Sequence, residues 1–248
     1  MEYKAIISDA GDILFSTNLQ KRKKRKLIRS LLEQSTSKIN IDKAIEKFKP
    51  YNCLAQTTNE LWESFISFTQ NELDLQIDNE DAKKMENDLL SIPNELFNGV
   101  PETLEKLREI EMPLIILTNG PKPGVEYDIV LRDSIKRRIS SFQDYSKYVH
   151  AQISSKDLGA RKPDPSTFHA AYLALDIAPK KNEILYLAHS QSEIFAAANF
   201  GFSVVACKYQ QQKDAKKISN AIKSYNKTNA LKIIEIKEFK DLISLIDD

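Results

Sequence analysis

Four short apolar runs limit what this chain can become: Ala5-Ile6-Ile7, Pro113 to Leu117, Ile184 to Leu187 and Phe202 to Ala206. A strand with one wet face alternates polar and apolar residues, whereas a continuous apolar run is buried on both faces. Between the runs the apolar spacing changes to i, i+3, i+4, the signature of amphipathic helices. Pro101 opens a helix carrying Leu104, Leu107 and Ile110, and Pro165 opens one carrying Phe168, Ala171, Tyr172 and Leu175. A third helix spans Ile194 to Phe200, with Gly201 as its cap. Val149 to Ile153 reads as a weaker strand, Ile233 to Ile236 as a last short one, and Phe239 to Ile246 as a closing helix. This alternation predicts the α/β class, a doubly wound parallel sheet of Rossmann-like form with helices on both faces.

One stretch departs from the alternation. From Phe15 to Leu96 there is no strong strand signal, and four helical faces follow one another. They are Leu27, Ile28, Leu31 and Leu32; Ala44, Ile45 and Phe48; Leu61, Trp62, Phe65, Ile66 and Phe68; and Met85, Leu89, Leu90 and Ile92. Large aromatics at helical spacing normally pack, so Trp62, Phe65 and Phe68 read as core. The pattern predicts an all-helical domain over residues 16–96, inserted into a core domain of residues 1–15 and 97–248. The α/β pattern resumes at Asn98-Gly99-Val100-Pro101, and a polar helical segment is expected from Tyr127 to Phe142.

Parallel strands connected by right-handed crossovers gather their carboxyl ends at one rim, where ligands bind. The polar residues that arrive there are Asp9, Thr118 with Asn119, Lys162, and His189-Ser190 with Glu193. An aspartate can attack phosphorus, or a carbon bearing a leaving group, to form a covalent intermediate. A hydroxyl and backbone N–H groups suit the transferred oxygens, and a lysine holds the aspartate ionised. Carboxylates on two neighbouring loops suit Mg²⁺.

These residues fall into four motifs in order. The first is Asp9-Ala10-Gly11-Asp12-Ile13-Leu14, and the second is the strand ending Thr118-Asn119-Gly120. The third is Gly159-Ala160-Arg161-Lys162-Pro163-Asp164-Pro165, and the fourth is Ala188-His189-Ser190-Gln191-Ser192-Glu193. In this the chain resembles the haloacid dehalogenase (HAD) superfamily, in its subfamily with a helical cap inserted after the first motif. The resemblance implies a HAD-like core with an all-helical cap, and a phosphomonoesterase acting on a small phosphorylated metabolite. Asp9 would be the nucleophile, forming an aspartyl-phosphate. Thr118, Asn119, Gly120 and Lys162 would hold the substrate, the first two and Lys162 also taking part in catalysis. Asp12 would help the acid–base step. Mg²⁺ would lie between Asp9, the Gly11 backbone carbonyl and Glu193.

Two positions depart from the family pattern. Gly11 stands where related phosphatases carry a second aspartate, and Ala188-His189-Ser190 replaces Gly-Asp-Ser. Imidazole is a poor exchange for an oxygen ligand to Mg²⁺, so His189 is read as a neutral, hydrogen-bonded residue. Three functions stay open: a Mg²⁺-dependent phosphomonoesterase, a metal-free 2-haloacid dehalogenase-like hydrolase, and a binding or regulatory protein on the same scaffold.

Composition narrows the partners. The net charge of +1 exerts no overall pull toward nucleic acid or membrane; the partner that the resemblance implies is a small phosphorylated or otherwise anionic substrate. The basic tract Lys21 to Lys26 wraps around a helix rather than forming a stripe, so it reads as a solvated surface. Gln210 to Asn229 reads as a surface helix or loop. Two cysteines far apart, Cys53 and Cys207, and an N-terminus without a long apolar run point to the cytoplasm.

Overall fold

The structure is a computed structural model that describes residues 2–35, 40–54, 58–78, 80, 96–119, 148–154, 158–208 and 215–247. Six strands form one sheet: β1 (Ala5–Ser8), β2 (Leu114–Thr118), β3 (Ala151–Ser154), β4 (Ile184–Ala188), β5 (Ser203–Cys207) and β6 (Ile234–Ile236). Their order is β3-β2-β1-β4-β5-β6 and every pairing is parallel. The connections run outward from β1 to one side and then return to the other. The switch point therefore lies between β1 and β4, where a doubly wound sheet opens a crevice. This is the doubly wound parallel α/β sheet expected from the apolar runs.

The residues of β1, β2, β4 and β5 are buried throughout. Because successive side chains point to opposite faces, Ile7, Ile115, Leu117, Tyr186, Ala188, Val204 and Ala206 share one face. They pack with Phe168, Ala171, Ile194, Ala197, Ile218 and Ile222. Those residues come from α5 (Pro165–Leu173), α6 (Gln191–Phe200) and α7 (Ala215–Thr228). Ile6, Ile116, Leu187 and Val205 point the other way and are equally buried. Two further helices, α4 (Val100–Glu109) and α8 (Asp241–Asp247), pack on one another and bury Leu104, Leu107 and Leu242.

Several edges moved from the sequence reading, each for a local reason. Helix α6 begins at Gln191 rather than Ile194, because its polar first turn is invisible to apolar periodicity. The third strand begins at Ala151. His150 precedes it, donating its backbone N–H to Leu114 O and accepting at Nδ1 from Leu114 N. The segment read as a helix or loop contains the helix α7, anchored by buried Ile218 and Ile222. Gly201 caps α6 in the left-handed region, at φ 105°, as expected.

By contacts the chain divides into two compact units. One comprises Met1–Ser16, Glu95–Thr118 and Tyr145–Asp248; the other comprises Thr17–Asn94 and Asn119–Asp144. The second contains α1 (Asn18–Ser35), α2 (Ile41–Leu54) and α3 (Thr58–Leu73). Its core joins Ile28, Leu31 and Leu32 to Ala44, Phe48, Phe65 and Phe68. Phe48 meets the Phe65 ring edge-on at 5.0 Å and Phe68 at 5.4 Å. The Trp62 side chain, the fourth helical face around Met85 to Ile92 and the segment Tyr127 to Phe142 lie outside the described residues. Arg22 and Lys26 of the basic tract are exposed. Among the described residues no helix is long and apolar enough to cross a membrane.

In the first unit the chain leaves β1 through a tight turn. Ile13 and Leu14 donate to Ala10 O, and Asp12 N donates to Phe15 O at 2.7 Å. Asp12 sits in the left-handed region, at φ 59°, which aspartate tolerates better than most residues. Phe15 then pairs with Leu96, and Phe97 N donates to Leu14 O. Entry and exit of the inserted segment are thus tied side by side.

Candidate active site

Asp9 follows β1 directly and is 9% exposed. Its backbone N–H donates to Leu187 O, which ties it to β4. Its Oδ1 accepts from Ala10 N at 2.8 Å and lies 3.0 Å from Lys162 Nζ, while Oδ2 faces His189 Nε2 at 3.4 Å. Burial alone would raise its pKa, but the Lys162 charge and the His189 contact outweigh it and lower the value to about 2. Asp9 is therefore a carboxylate at any physiological pH.

Lys162 is buried in the same place. It is carried there by the turn before α5, in which Asp164 N donates to Arg161 O. Asp164 then caps α5, accepting from Ser166 N and Ser166 Oγ, with Pro165 in the first helical turn. In this motif one residue caps the helix so that another can reach the centre. Lys162 Nζ contacts Asp9 Oδ1 and Glu193 Oε1 (2.7 Å) and donates to Leu117 O (2.7 Å), as many acceptors as an ammonium has N–H bonds. Burial would lower its pKa, but Asp9 and Glu193 raise it.

Glu193, in the first turn of α6, is also buried. Its Oε1 accepts from Tyr186 OH at 2.5 Å as well as from Lys162, and its Oε2 lies 3.5 Å from Ser190 Oγ. Tyr186, on β4, is fully buried, stacked on Phe202 and edge-on to Phe168. Burial first, then the Glu193 charge, pushes its phenol far above its ordinary value, so it is a permanent donor here. Sequence reasoning counted Tyr186 only as strand filling. A phenol in an otherwise aliphatic buried strand was the available signal, since a buried hydroxyl needs a partner.

His189 follows β4. Expected to be neutral, it instead has a raised pKa: burial pulls the value down, but contact with Asp9 and the charges of Asp9, Glu193 and Asp12 push it up further. The surrounding carboxylates thus favour the imidazolium more than water does. Asp12 is buried and acts on His189 through space. Thr118 ends β2 and is buried; continuing the β1–β2 register places it level with Ala10. Asn119 comes next and is half-buried, and Gly120 lies outside the described residues. Ser8, unremarked in sequence, is buried and donates to Asp9 O at 2.7 Å.

The donor set expected for Mg²⁺ does not fit. Magnesium demands near-octahedral oxygen coordination. Here Asp9 Oδ1 and Glu193 Oε1 each face two hydrogen-bond donors, and Asp9 Oδ2 faces an imidazole nitrogen. Among the described residues no three or more His, Cys, Asp or Glu side chains are placed to hold a metal ion. The hydrogen bonds at Asp9 and Glu193 thus compete with the Mg²⁺ arrangement of Asp9, the Gly11 carbonyl and Glu193 that the resemblance implies.

A buried, ionised aspartate at a switch point, bound to a lysine from a capped loop, can be compared with known proteins. The chain belongs to the haloacid dehalogenase-like hydrolases, whose family model matches residues 23–207. The match begins after Asp9, so the nucleophile candidate rests on the structure and the motif order. Among solved structures it is similar to a 2-haloacid dehalogenase from Pseudomonas syringae pv. Tomato DC3000, at 17% identity over 99% of this chain and 98% of that one, with a TM-score of 0.63. A HAD phosphatase from Thermococcus onnurineus matches at 18% identity, 98% and 97% coverage and a TM-score of 0.60. The L-2-haloacid dehalogenase from Xanthobacter autotrophicus matches at 16%, 99% and 98%, with a TM-score of 0.58. No curated protein matches the chain in sequence.

Proposed function

We propose that this haloacid dehalogenase-like hydrolase is a phosphomonoesterase that uses Asp9 as a covalent nucleophile on a small phosphorylated metabolite. The observation that carries the reading is the Asp9 carboxylate, held ionised between Lys162 and His189 at the end of β1. Asp9 Oδ1 is committed to Lys162 and Ala10 N, so Oδ2 is the attacking oxygen. An Oδ2–phosphorus bond forms as the bond to the leaving oxygen breaks, and that oxygen takes up a proton. His189, with Asp12 acting on it, stands in the proton-transfer position, a role worth about 10²–10⁴-fold. Thr118 and Asn119, with Gly120 beyond them in sequence, hold the phosphoryl oxygens. Water then cleaves the aspartyl-phosphate and restores Asp9. The hydrogen bonds at Asp9 and Glu193 support protein cations in place of the Mg²⁺ cofactor that the resemblance implies. Two cysteines far apart in sequence support a cytoplasmic setting.

The same observation favours a second reading, 2-haloacid dehalogenation. Displacing halide from carbon needs no proton on the leaving group, which suits Gly11 in place of a second aspartate. Turnover of a generic phosphate ester and halide release from a 2-haloacid, each with wild type and Asp9→Asn, separate the two. Phosphate release lost in Asp9→Asn by about 10⁴-fold supports the first reading. Halide release alone supports the second, and silence on a broad panel of both classes favours a binding protein on this scaffold.

A further inference from the structure

We infer that the reaction centre is closed to a resident divalent cation from two sides, His189 standing on the open face of Asp9 and Tyr186 with Lys162 occupying the inner oxygen of Glu193. The first side is a single contact. Asp9 Oδ1 is taken by Lys162 and by Ala10 N, leaving Oδ2 for any cation, and Oδ2 is where His189 Nε2 lies, at 3.4 Å. A cation bound to Oδ2 at about 2.0–2.1 Å would have to displace that imidazole.

The second side lies deeper. Glu193 Oε1 accepts from Tyr186 OH and from Lys162 Nζ, both buried. Tyr186 cannot swing away, because its ring is stacked at 5.7 Å on Phe202 and edge-on at 5.2 Å to Phe168. Glu193 is therefore an anchor for Lys162. Tyr186 is a positioning residue that keeps Glu193 turned toward Lys162. Four side chains, from β4 (Tyr186), α6 (Glu193), the loop before α5 (Lys162) and the turn after β1 (Asp9), form one hydrogen-bonded chain, and His189 closes its outer end. Positive charge at the nucleophile comes from side chains of the protein itself.

This inference rests on the Asp9 centre of the proposed function, but its test needs no turnover. Mn²⁺ binding to the full chain is followed by electron paramagnetic resonance and Mg²⁺ binding by calorimetry, for wild type, His189→Asp and Asp9→Asn. Wild type is expected to show no saturable binding at millimolar metal. His189→Asp places an oxygen donor on the Asp9 face and is expected to gain Mn²⁺ affinity by about 10–100-fold, a gain lost when Asp9→Asn is added. Saturable binding by wild type that disappears in Asp9→Asn would overturn the inference. So would a folded His189→Asp that gains nothing. If that variant does not fold, His189→Asn supplies the oxygen without the charge, and the same two outcomes apply. Wild type that hydrolyses phosphate esters and binds Mn²⁺ at Asp9 sinks only this inference. Wild type that binds no metal and turns nothing over sinks only the proposed reaction.

Discussion

The ends of β1 and β4 each deliver a buried carboxylate to Lys162, and they treat it in opposite ways. At β1, Asp9 keeps one oxygen turned outward, toward His189. At β4, Glu193 has its Lys162-facing oxygen sealed by the Tyr186 hydroxyl. The charges are equal and the distances to the lysine similar, 3.0 Å and 2.7 Å. Each carboxylate has two donors on its Lys162-facing oxygen, and they differ in what the second oxygen meets: an imidazole nitrogen for Asp9 Oδ2 and the Ser190 hydroxyl at 3.5 Å for Glu193 Oε2. In the proposed reaction the Asp9 end reacts and the Glu193 end holds Lys162.

That contrast predicts a descending series of effects. Asp9→Asn leaves a folded chain, as seen by circular dichroism, while kcat falls by about 10⁴-fold. Glu193→Leu should leave turnover less affected than stability, because it strips Lys162 of a buried partner; urea denaturation is expected to show a loss of about 3 kcal/mol. A variant as stable as wild type would erase the distinction between the two ends. Next comes pH. The folded pKa of Asp9, about 2, lies below its ordinary value of 3.8, so it stabilises the fold above 3.8 by about 2 kcal/mol. That contribution is lost as pH falls through 2, and the stability gap to Asp9→Asn measured in urea should narrow there. His189 has the opposite sign. Its pKa is raised above 6.5, so its contribution is full below 6.5 and vanishes as pH climbs through the folded value. Tyr186→Phe is expected to cost about 1.5 kcal/mol through one hydrogen bond to a charged group, with ring packing intact. The smallest effect belongs to the helical unit. Arg29 and Asp42 make a 2.5 Å ion pair on an exposed surface, and Arg29→Ala should shift the urea midpoint by under about 1 kcal/mol.

The sheet was legible because burial on both faces writes itself as a continuous apolar run. Ile6, Ile116 and Leu187 are buried as those runs demanded. Asp9 and Lys162 were legible for a related reason: each follows a strand or its loop, and the switch point follows from strand order. Tyr186 and His189 were not legible in their roles. Tyr186 meets Glu193 only because β4 turns directly into α6, and that helix starts three residues before its first apolar position. The pKa of His189 is raised by Asp9, Glu193 and Asp12, which the sequence scatters over more than half the chain. A protonation state is a property of the assembled neighbourhood, and residue spacing does not encode it.

The pairing of Phe15 with Leu96, and of Leu14 with Phe97, has a further consequence. It brings the two ends of the inserted segment to neighbouring strand positions, about 4.8 Å apart. Whatever is spliced between them meets the sheet at one fixed doorway. Lengthening a flexible insertion is cheap once its ends are joined, about 0.6 kcal/mol for each doubling. The closure cost of the segment between these two pairs is thus met at its base, a few residues from Asp9 and its backbone hydrogen bond to Leu187.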